Sequence, residues 1–527
     1  MARSLHIRAV LAVNGNAWAD GMLNTRNRNT QSPSWNRSAA PLGRPGARIA
    51  YTSGTATRPA VAMTAHPLTN AQDNAHLYDY ERSVKQAFDA IVPTLKQVSA
   101  LQHEADFETG AQQIARQQLG FELPVELLAD AWVEQLDMRR LFAWCVFETY
   151  RRFCDEVFTR DPLGNNGDDE FQAFLQQCGF HTLDISPCAD GRLAHVIRYV
   201  LRLPYRSVRR RSYAGALFDI EDSMEKWVET ELLRFREGRP NTADAPTRYL
   251  KTVIYHFSSV DPEHEGCAAH GSDTRKAAQA GLDRLLAFQQ AVQNTHCCGA
   301  SIDRLLIGLD TDTDAIRIHV PDANSDIDLE RYIDSLDVFT RTQGMPANEA
   351  EHWISREVSN SGNGTAEGMV RFICQLLTNN LSQIEYVRSN YGDHYSDIGH
   401  AERFIGAGIG FEEVQLRNLT YFAYLNTVEE AAADLDVGIK IFSRLNVSHG
   451  LPVPVVVRYD YHGNVPGSRE RAEQHCQRVA GALNNRYPDL ARRGLLHTLQ
   501  AVRDINTGGG IEVLDCSVNA HVAQEAH

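Results

Sequence analysis

The chain has 527 residues, a formal charge of −15 and ten cysteines, and 43% of its residues are hydrophobic. That length predicts several domains, and the apolar share suffices for packed cores. The negative balance excludes a general nucleic-acid binder, the cysteines are too sparse for a disulfide scaffold, and no apolar run approaches the roughly eighteen residues of a membrane span. A soluble intracellular protein with reduced thiols is expected.

Residues 1–21 carry Arg3 and Arg8 ahead of a short Ala-Val-Leu-Ala-Val run, as an export signal does, but Asn14 and Asn16 cut the run short. Met22 offers an alternative start. Across the first sixty residues eight arginines face Asp20 alone. Residues 1–65, rich in Asn, Thr, Ser, Pro, Gly and Arg and without periodicity, are expected to be a disordered basic arm that adheres to an acidic partner protein or an anionic surface.

Residues 66–160 turn helical. Tyr80, Val84, Phe88, Ile91 and Leu95 recur near 3.6 spacing, with Pro93 marking a break. A second run passes through Val125, Leu128, Trp132 and Leu136 to Leu141 and Phe147. Asp161–Asp168 is a turn-rich linker. Beyond it, residues 166–400 alternate helix and strand, which predicts a mainly parallel sheet with flanking helices. A helix holds Phe171, Phe174 and Leu175, and a strand follows over Thr182–Ile185. Tyr213–Glu237 is expected as one long helix with Phe218, Met224, Trp227, Val228 and Phe235 inward. Tyr249–Phe257 reads as a buried strand, Ser272 as the cap of the next helix, and Leu305–Leu309 as another strand.

Just past Pro187 a thiol, a carboxylate and a guanidinium stand at two-residue spacing: Cys188, Asp190 and Arg192. A thiolate can hold a metal, an Asp–Arg pair can orient what the metal activates, and strand ends are where open α/β sheets build sites. A catalytic zinc site needs three protein ligands and an open position. His256 sits at a strand end, and Cys267 approaches a helix N-terminus, where a thiolate is favoured. His264 is a further imidazole in the same stretch. A competing set of His270, His296 and either Cys297 or Cys298 lies farther from strand ends, so His256 and Cys267 are the preferred partners of Cys188.

The segment CADGR (Cys188–Arg192) resembles the Cys-x-Asp-x-Arg signature of β-class carbonic anhydrases, in which the cysteine binds zinc and the Asp–Arg dyad faces the metal-bound water. That family usually continues with His-x-x-Cys, whereas His256 and Cys267 stand eleven residues apart. This departure, with the blocks DISPCADGR, FDIED, GCAAHGS, HCCGASID, DTDTDAIR, DIGHAER, DVGIKIF and NVPGSRER in order, is similar to the divergent carboxysome shell carbonic anhydrases of α-type carboxysomes. The likeness runs from about His66 to about Arg471.

The resemblance implies an α/β protein with a helical N-terminal domain (66–160), a β-carbonic-anhydrase-like catalytic domain (166–400) and a degenerate copy of it without a site (401–527). Leu451–Tyr461 would be a strand of that copy. It implies one Zn2+ per chain on Cys188, His256 and Cys267, the dyad Asp190–Arg192, and His400 of DIGHAER as a further residue near the site. It implies hydration of carbon dioxide to bicarbonate by hydroxide on the zinc, inside a carboxysome, beside Rubisco. The basic arm would recruit the enzyme to Rubisco or the shell, and the paired fold suggests a homo-oligomer, with no nucleic acid or membrane involved. The alternatives are a carboxysome scaffold with a structural zinc and a zinc hydrolase, the latter disfavoured by the tiny pocket a carbon dioxide site needs. Arg202, Arg206, Arg209, Arg210 and Arg211 form either a solvated, salt-bridged face or a site for a phosphorylated regulator. Asp310, Asp312 and Asp314 alternate as in a calcium loop, but Ala315 and Pro321 stand where such a loop needs Gly and Glu.

Overall fold

The computed structural model describes residues 65–129, 131, 135–157, 162–164, 167–204, 207–295, 301–411, 416–425, 432–507 and 509–522. The basic arm up to residue 64, and Trp132, Arg206, His296, Cys297 and Cys298, lie outside the described residues. No described helix is long and apolar enough to cross a membrane.

Asn70 opens α1 (Ala71–Asp89) by accepting from the backbone N–H groups of Gln72 and Asp73, and Leu77, Val84 and Phe88 bury its inner stripe. The break expected at Pro93 falls instead at Ala90, ahead of α2 (Ile91–Ala100). Pro93 fits the first turn of α2 because an N–H there has no intrahelical acceptor. After α3 (Phe107–Gln118), the run expected from Val125 to Phe147 divides into α4 (Val125–Ala129) and α5 (Met138–Val157). Asp137 starts α5 by accepting from Arg139 and Arg140 N–H, 3.1 Å each, and Val125 is 58% exposed.

The first sheet contains β1 (Thr182–Pro187), β2 (Arg209–Arg210), β3 (Arg248–Phe257), β4 (Ser301–Asp310), β5 (Ile316–His319) and β6 (Ile333–Asp334), in the order β2-β1-β3-β4-β5-β6. The β2–β1, β1–β3 and β3–β4 pairs are parallel, and β5 and β6 add antiparallel. Tyr249 to Phe257 are all buried, as expected of a central parallel strand covered on both faces. Helix α6 (Asp168–Gln177) leads into β1. Helix α7 covers only Ile220–Arg236, capped by Asp219, because Gly215 and Ala216 turn the chain through positive φ before it. Phe235, expected inward, is 68% exposed. Helix α8 (Thr274–Thr295) packs on β3 and β4. It is capped by Asp273, which accepts from Lys276 N–H at 3.0 Å, and not by Ser272, whose φ is 61°. Helices α9 (Ser335–Thr342), α10 (Ala347–Gly362) and α11 (Glu367–Tyr391) complete this layer.

The second sheet contains β7 (Phe404–Ile409), β8 (Thr420–Ala423), β9 (Val453–Tyr461), β10 (Leu496–Asp504) and β11 (Glu512–Cys516). Its order, β8-β7-β9-β10-β11, has three parallel pairs and a final antiparallel one, so it repeats β2-β1-β3-β4-β5 strand for strand. Helices α12 (Ala432–Leu445) and α13 (Ser468–Arg486) flank it. The chain is thus a helical N-terminal region followed by two α/β units of the same topology. The helical region leans on the second unit: the rings of Phe88 and Tyr150 lie 6.1 and 5.1 Å from that of Phe404.

Candidate metal centre

Three separate elements deliver the donors. Pro187 ends β1, and Cys188 N–H donates to Ile254 O at 3.2 Å, which fastens the turn to β3. His256 is the penultimate residue of β3 and is fully buried. Cys267 is 3% exposed and precedes the short turn Ala268–His270, which His270 N–H closes by donating to Cys267 O at 3.0 Å. One ligand atom from each of Cys188, His256 and Cys267 lies within 4.8 Å of the others.

The charges at this point explain one another. Burial works to lower the His256 pKa, but the Cys188 sulfur and the Asp190 carboxylate outweigh it and push it up to about 9. The hydrogen bond with Cys267, then burial, holds the Cys188 thiol well above its ordinary value. Cys267, the acceptor of that bond, is pulled below it. Among the described residues neither ring nitrogen of His256 has a hydrogen-bond partner, and Asp190 Oδ2 stands 3.3 Å from Nε2. An orphaned buried imidazole between two buried sulfurs suits a borderline-soft divalent ion such as zinc.

Beside the donors lies a closed ion pair. Arg192 Nη2 meets Asp190 Oδ2 at 2.7 Å and Nε meets Oδ1 at 3.0 Å, with the guanidinium fully buried. Arg192 Nη1 donates to the carbonyls of Glu265 (2.6 Å) and Ile398 (3.0 Å), so the fork cannot rotate away. Burial acts to raise the Asp190 pKa, but Arg192, with His400 and His256, holds it well below the carboxylate range. His400 Nε2 is 3.8 Å from Asp190 Oδ2, and its Nδ1 is 2.9 Å from Glu402 Oε1. Burial works to lower the His400 pKa, and Asp190 and Glu402 overcome it, giving about 9. All six residues singled out in the sequence, Cys188, Asp190, Arg192, His256, Cys267 and His400, therefore meet in one place.

The clamps around them are not apparent in the sequence. Glu402 accepts from Gly191 N–H at 3.1 Å, Asn418 N–H donates to Gly191 O at 2.8 Å, and Phe422 N–H donates to Ala189 O at 3.3 Å. All three come from beyond residue 400. The one available hint is His400-Ala401-Glu402, where two polar side chains at alternate positions share a side of an extended segment.

Other expectations resolve differently. His270 Nε2 sits 3.2 Å from Gly215 O, and His264 pairs with Asp261 at the surface. The arginine cluster is dispersed: Arg209 binds Asp184 and Asp222, Arg210 lies over Phe422, Arg211 over Tyr424, and Arg202 reaches Asn74 and Gln383. Asp310, Asp312 and Asp314 each accept from protein hydroxyls, those of Ser259, Ser258 and Tyr395 respectively.

A sulfur–nitrogen–sulfur donor set at the carboxyl ends of parallel strands, with a buried Asp–Arg pair against it, defines an α/β protein built around a candidate metal centre. Residues 66–158 match the N-terminal domain, 170–400 the catalytic domain and 401–518 the C-terminal domain described for carboxysome shell carbonic anhydrases. The chain is 56% identical over 467 residues to a protein of Prochlorococcus marinus strain MIT 9313 called carboxysome shell carbonic anhydrase, covering 88% of this chain and 91% of that one. It is 48% identical over 461 residues to one of the same name from Halothiobacillus neapolitanus, covering 85% and 89%. The chain belongs to the carboxysome shell carbonic anhydrase family.

Proposed function

We propose that the chain is a zinc enzyme that interconverts bicarbonate and carbon dioxide inside the α-carboxysome and supplies carbon dioxide to Rubisco. Cys188, His256 and Cys267 hold one zinc ion per chain, which supplies a Lewis acid able to bring the pKa of water to about 7. The observation that carries the reading is the convergence of these three donors on a buried Asp190–Arg192 pair.

The protein's own part is orientation and proton handling. Arg192 keeps Asp190 ionised and away from the sulfurs, and its charge offsets part of theirs. Asp190 Oδ2 accepts the hydrogen bond of the nucleophile and turns its lone pair toward the carbon. His400, 22% exposed, relays the proton through Nε2. With a pKa of about 9 it is an imidazolium at neutral pH, the state that donates the proton consumed when bicarbonate is dehydrated. The basic arm recruits the enzyme to Rubisco or the shell, and the chain works as a homo-oligomer. An anionic metabolite is the regulator this reading allows; sugar phosphates that alter neither rate nor melting temperature would remove that part.

Stopped-flow hydration of carbon dioxide before and after chelation tests the reading. Activity should vanish with the zinc and return on adding it back. Zinc bound without turnover would point instead to the scaffold alternative, and full turnover without metal would refute the proposal. In Asp190→Asn the zinc should stay while kcat falls by roughly a hundredfold; near-normal turnover would remove the orienting role.

A further inference from the structure

We infer that Glu402 is the positioning residue of the proton path: one carboxylate oxygen fixes the His400 ring and the Asp190–Arg192 turn together, so that His400 Nε2 faces Asp190. The inference rests on the carbonic anhydrase reading and deepens it.

Glu402 Oε1 receives two hydrogen bonds, from Gly191 N–H at 3.1 Å and from His400 Nδ1 at 2.9 Å. Its side chain is fully buried, and among the described residues Oε2 has no hydrogen-bond partner. Burying a half-satisfied carboxylate is costly, and glutamine or leucine could fill the same volume without the charge. Two cations gain from the charge, the Arg192 guanidinium and the His400 imidazolium, and only the second is hydrogen-bonded to Glu402. A carboxylate only accepts, so Nδ1 carries the hydrogen of that bond and Nε2 is left to exchange protons. Nε2 is the nitrogen 3.8 Å from Asp190 Oδ2.

Gly191 gives an independent sign of the same seat. A Cβ built there would stand 2.3 Å from Glu402 Cγ and 2.7 Å from Oε1. The glycine between Asp190 and Arg192 is therefore the space into which Glu402 packs. The oxygen that orients His400 also registers the dyad turn, across 211 residues of sequence. The charged groups facing His400 are Asp190 and Glu402, which favour its cation, and Arg192, which opposes it. Its partial exposure lets protons pass on to solvent.

The test uses the full chain, with zinc content measured for every variant, and kcat and kcat/KM read at low and high buffer. Glu402→Gln should keep its zinc and lose kcat roughly tenfold at low buffer, with kcat/KM changed by less than about twofold. Concentrated imidazole buffer should restore kcat, because it replaces the relay. The pH limb assigned to His400 should move down, since losing a neighbouring carboxylate destabilises the imidazolium. If Glu402→Gln does not fold, Glu402→Asp, which keeps the charge but shortens its reach to His400 Nδ1, should lower kcat in the same buffer-rescued way and decides the matter. Unchanged kcat with an unmoved pH limb overturns the inference. So does a parallel fall in kcat and kcat/KM that buffer cannot rescue, or loss of zinc, either of which marks a merely structural residue. An inert, zinc-loaded wild type would instead bring down the parent reading, and this inference with it.

Discussion

Cys188 and Asp190 sit two residues apart, and burial acts to raise both, yet they end on opposite sides of their ordinary values: the hydrogen bond with Cys267 and burial push the thiol up, and Arg192 holds the carboxyl down. On the proposed reading, a cation shared among the sulfurs and His256 would let both thiols ionise beside that carboxylate. Cys188→Ser should therefore leave a folded chain with well under a tenth of the wild-type zinc, read by elemental analysis. His400 supplies a pH test. Its pKa is raised from 6.5 to about 9, so its stabilising contribution is full below 6.5 and is lost as pH rises through about 9. The melting temperature of His400→Ala should accordingly fall less across that window than that of wild type; parallel curves would contradict the assignment. These residues could be read from sequence because thiols and imidazoles just past strand ends are chemically unusual. Glu402 could not be, because its meaning depends on Gly191 folding against it from the other unit.

Between strands, the inner face of the first sheet holds a second buried charge cluster. Asp184 on β1 accepts from Tyr249 (2.5 Å) and pairs with Lys251 on β3 and Arg209 on β2, both at 2.8 Å. Burial acts to raise the Asp184 pKa, but Arg209 and Lys251 reverse this and hold it below 3.8. The stability it contributes is thus present above 3.8 and is lost as pH falls toward the folded value. Asp184→Asn should cost about 3 kcal/mol near neutral pH, because Lys251 is left buried with less compensation, and should blunt the acid limb of unfolding. A change below about 0.5 kcal/mol by denaturant titration would show that the cluster is not a stabilising pair.

The same elements show where sequence patterns suffice. Largely apolar, β-branched and aromatic runs marked β3 and β9, since parallel strands covered on both faces need them, though Lys251 and His256 interrupt β3 and Arg458 and Asp460 interrupt β9. Periodicity found helical faces but not helix ends, which Asp137, Asp219 and Asp273 decide by capping; each is a single polar residue that periodicity ignores. The exposure of Phe235 has no structural explanation.

Across the two units, the strand order repeats, and residues of the second unit clamp the Ala189–Gly191 turn of the first. At the corresponding end of the second sheet, β9 carries Arg458 and Asp460, paired at 2.7 and 2.9 Å, with Gly408 and Gly410 packed on them. Among the described residues, no cluster of three metal-donor side chains forms around that pair. Ala189, inside the metal turn of the first unit, belongs to the hydrophobic core of the second, beside Ile405, Ala407 and Tyr421. A fragment ending at residue 400 would expose that core and lose the clamps from Glu402, Asn418 and Phe422. It should be insoluble or free of zinc; a soluble, zinc-loaded, active fragment would contradict the two-unit site. The repeat itself was only partly visible in sequence. Leu451–Tyr461 announced a buried strand, but parallel strand order follows from packing between distant segments and leaves no local mark.

A crystal of the full chain, with anomalous diffraction recorded on both sides of the zinc absorption edge, would test the metal assignment most directly. The expected result is a single zinc peak per chain, bonded by Cys188 Sγ, Cys267 Sγ and one ring nitrogen of His256, with Asp190 facing a fourth position that no side chain fills. A peak elsewhere, no peak at all, or a fourth protein ligand closing the site would contradict the enzymatic account.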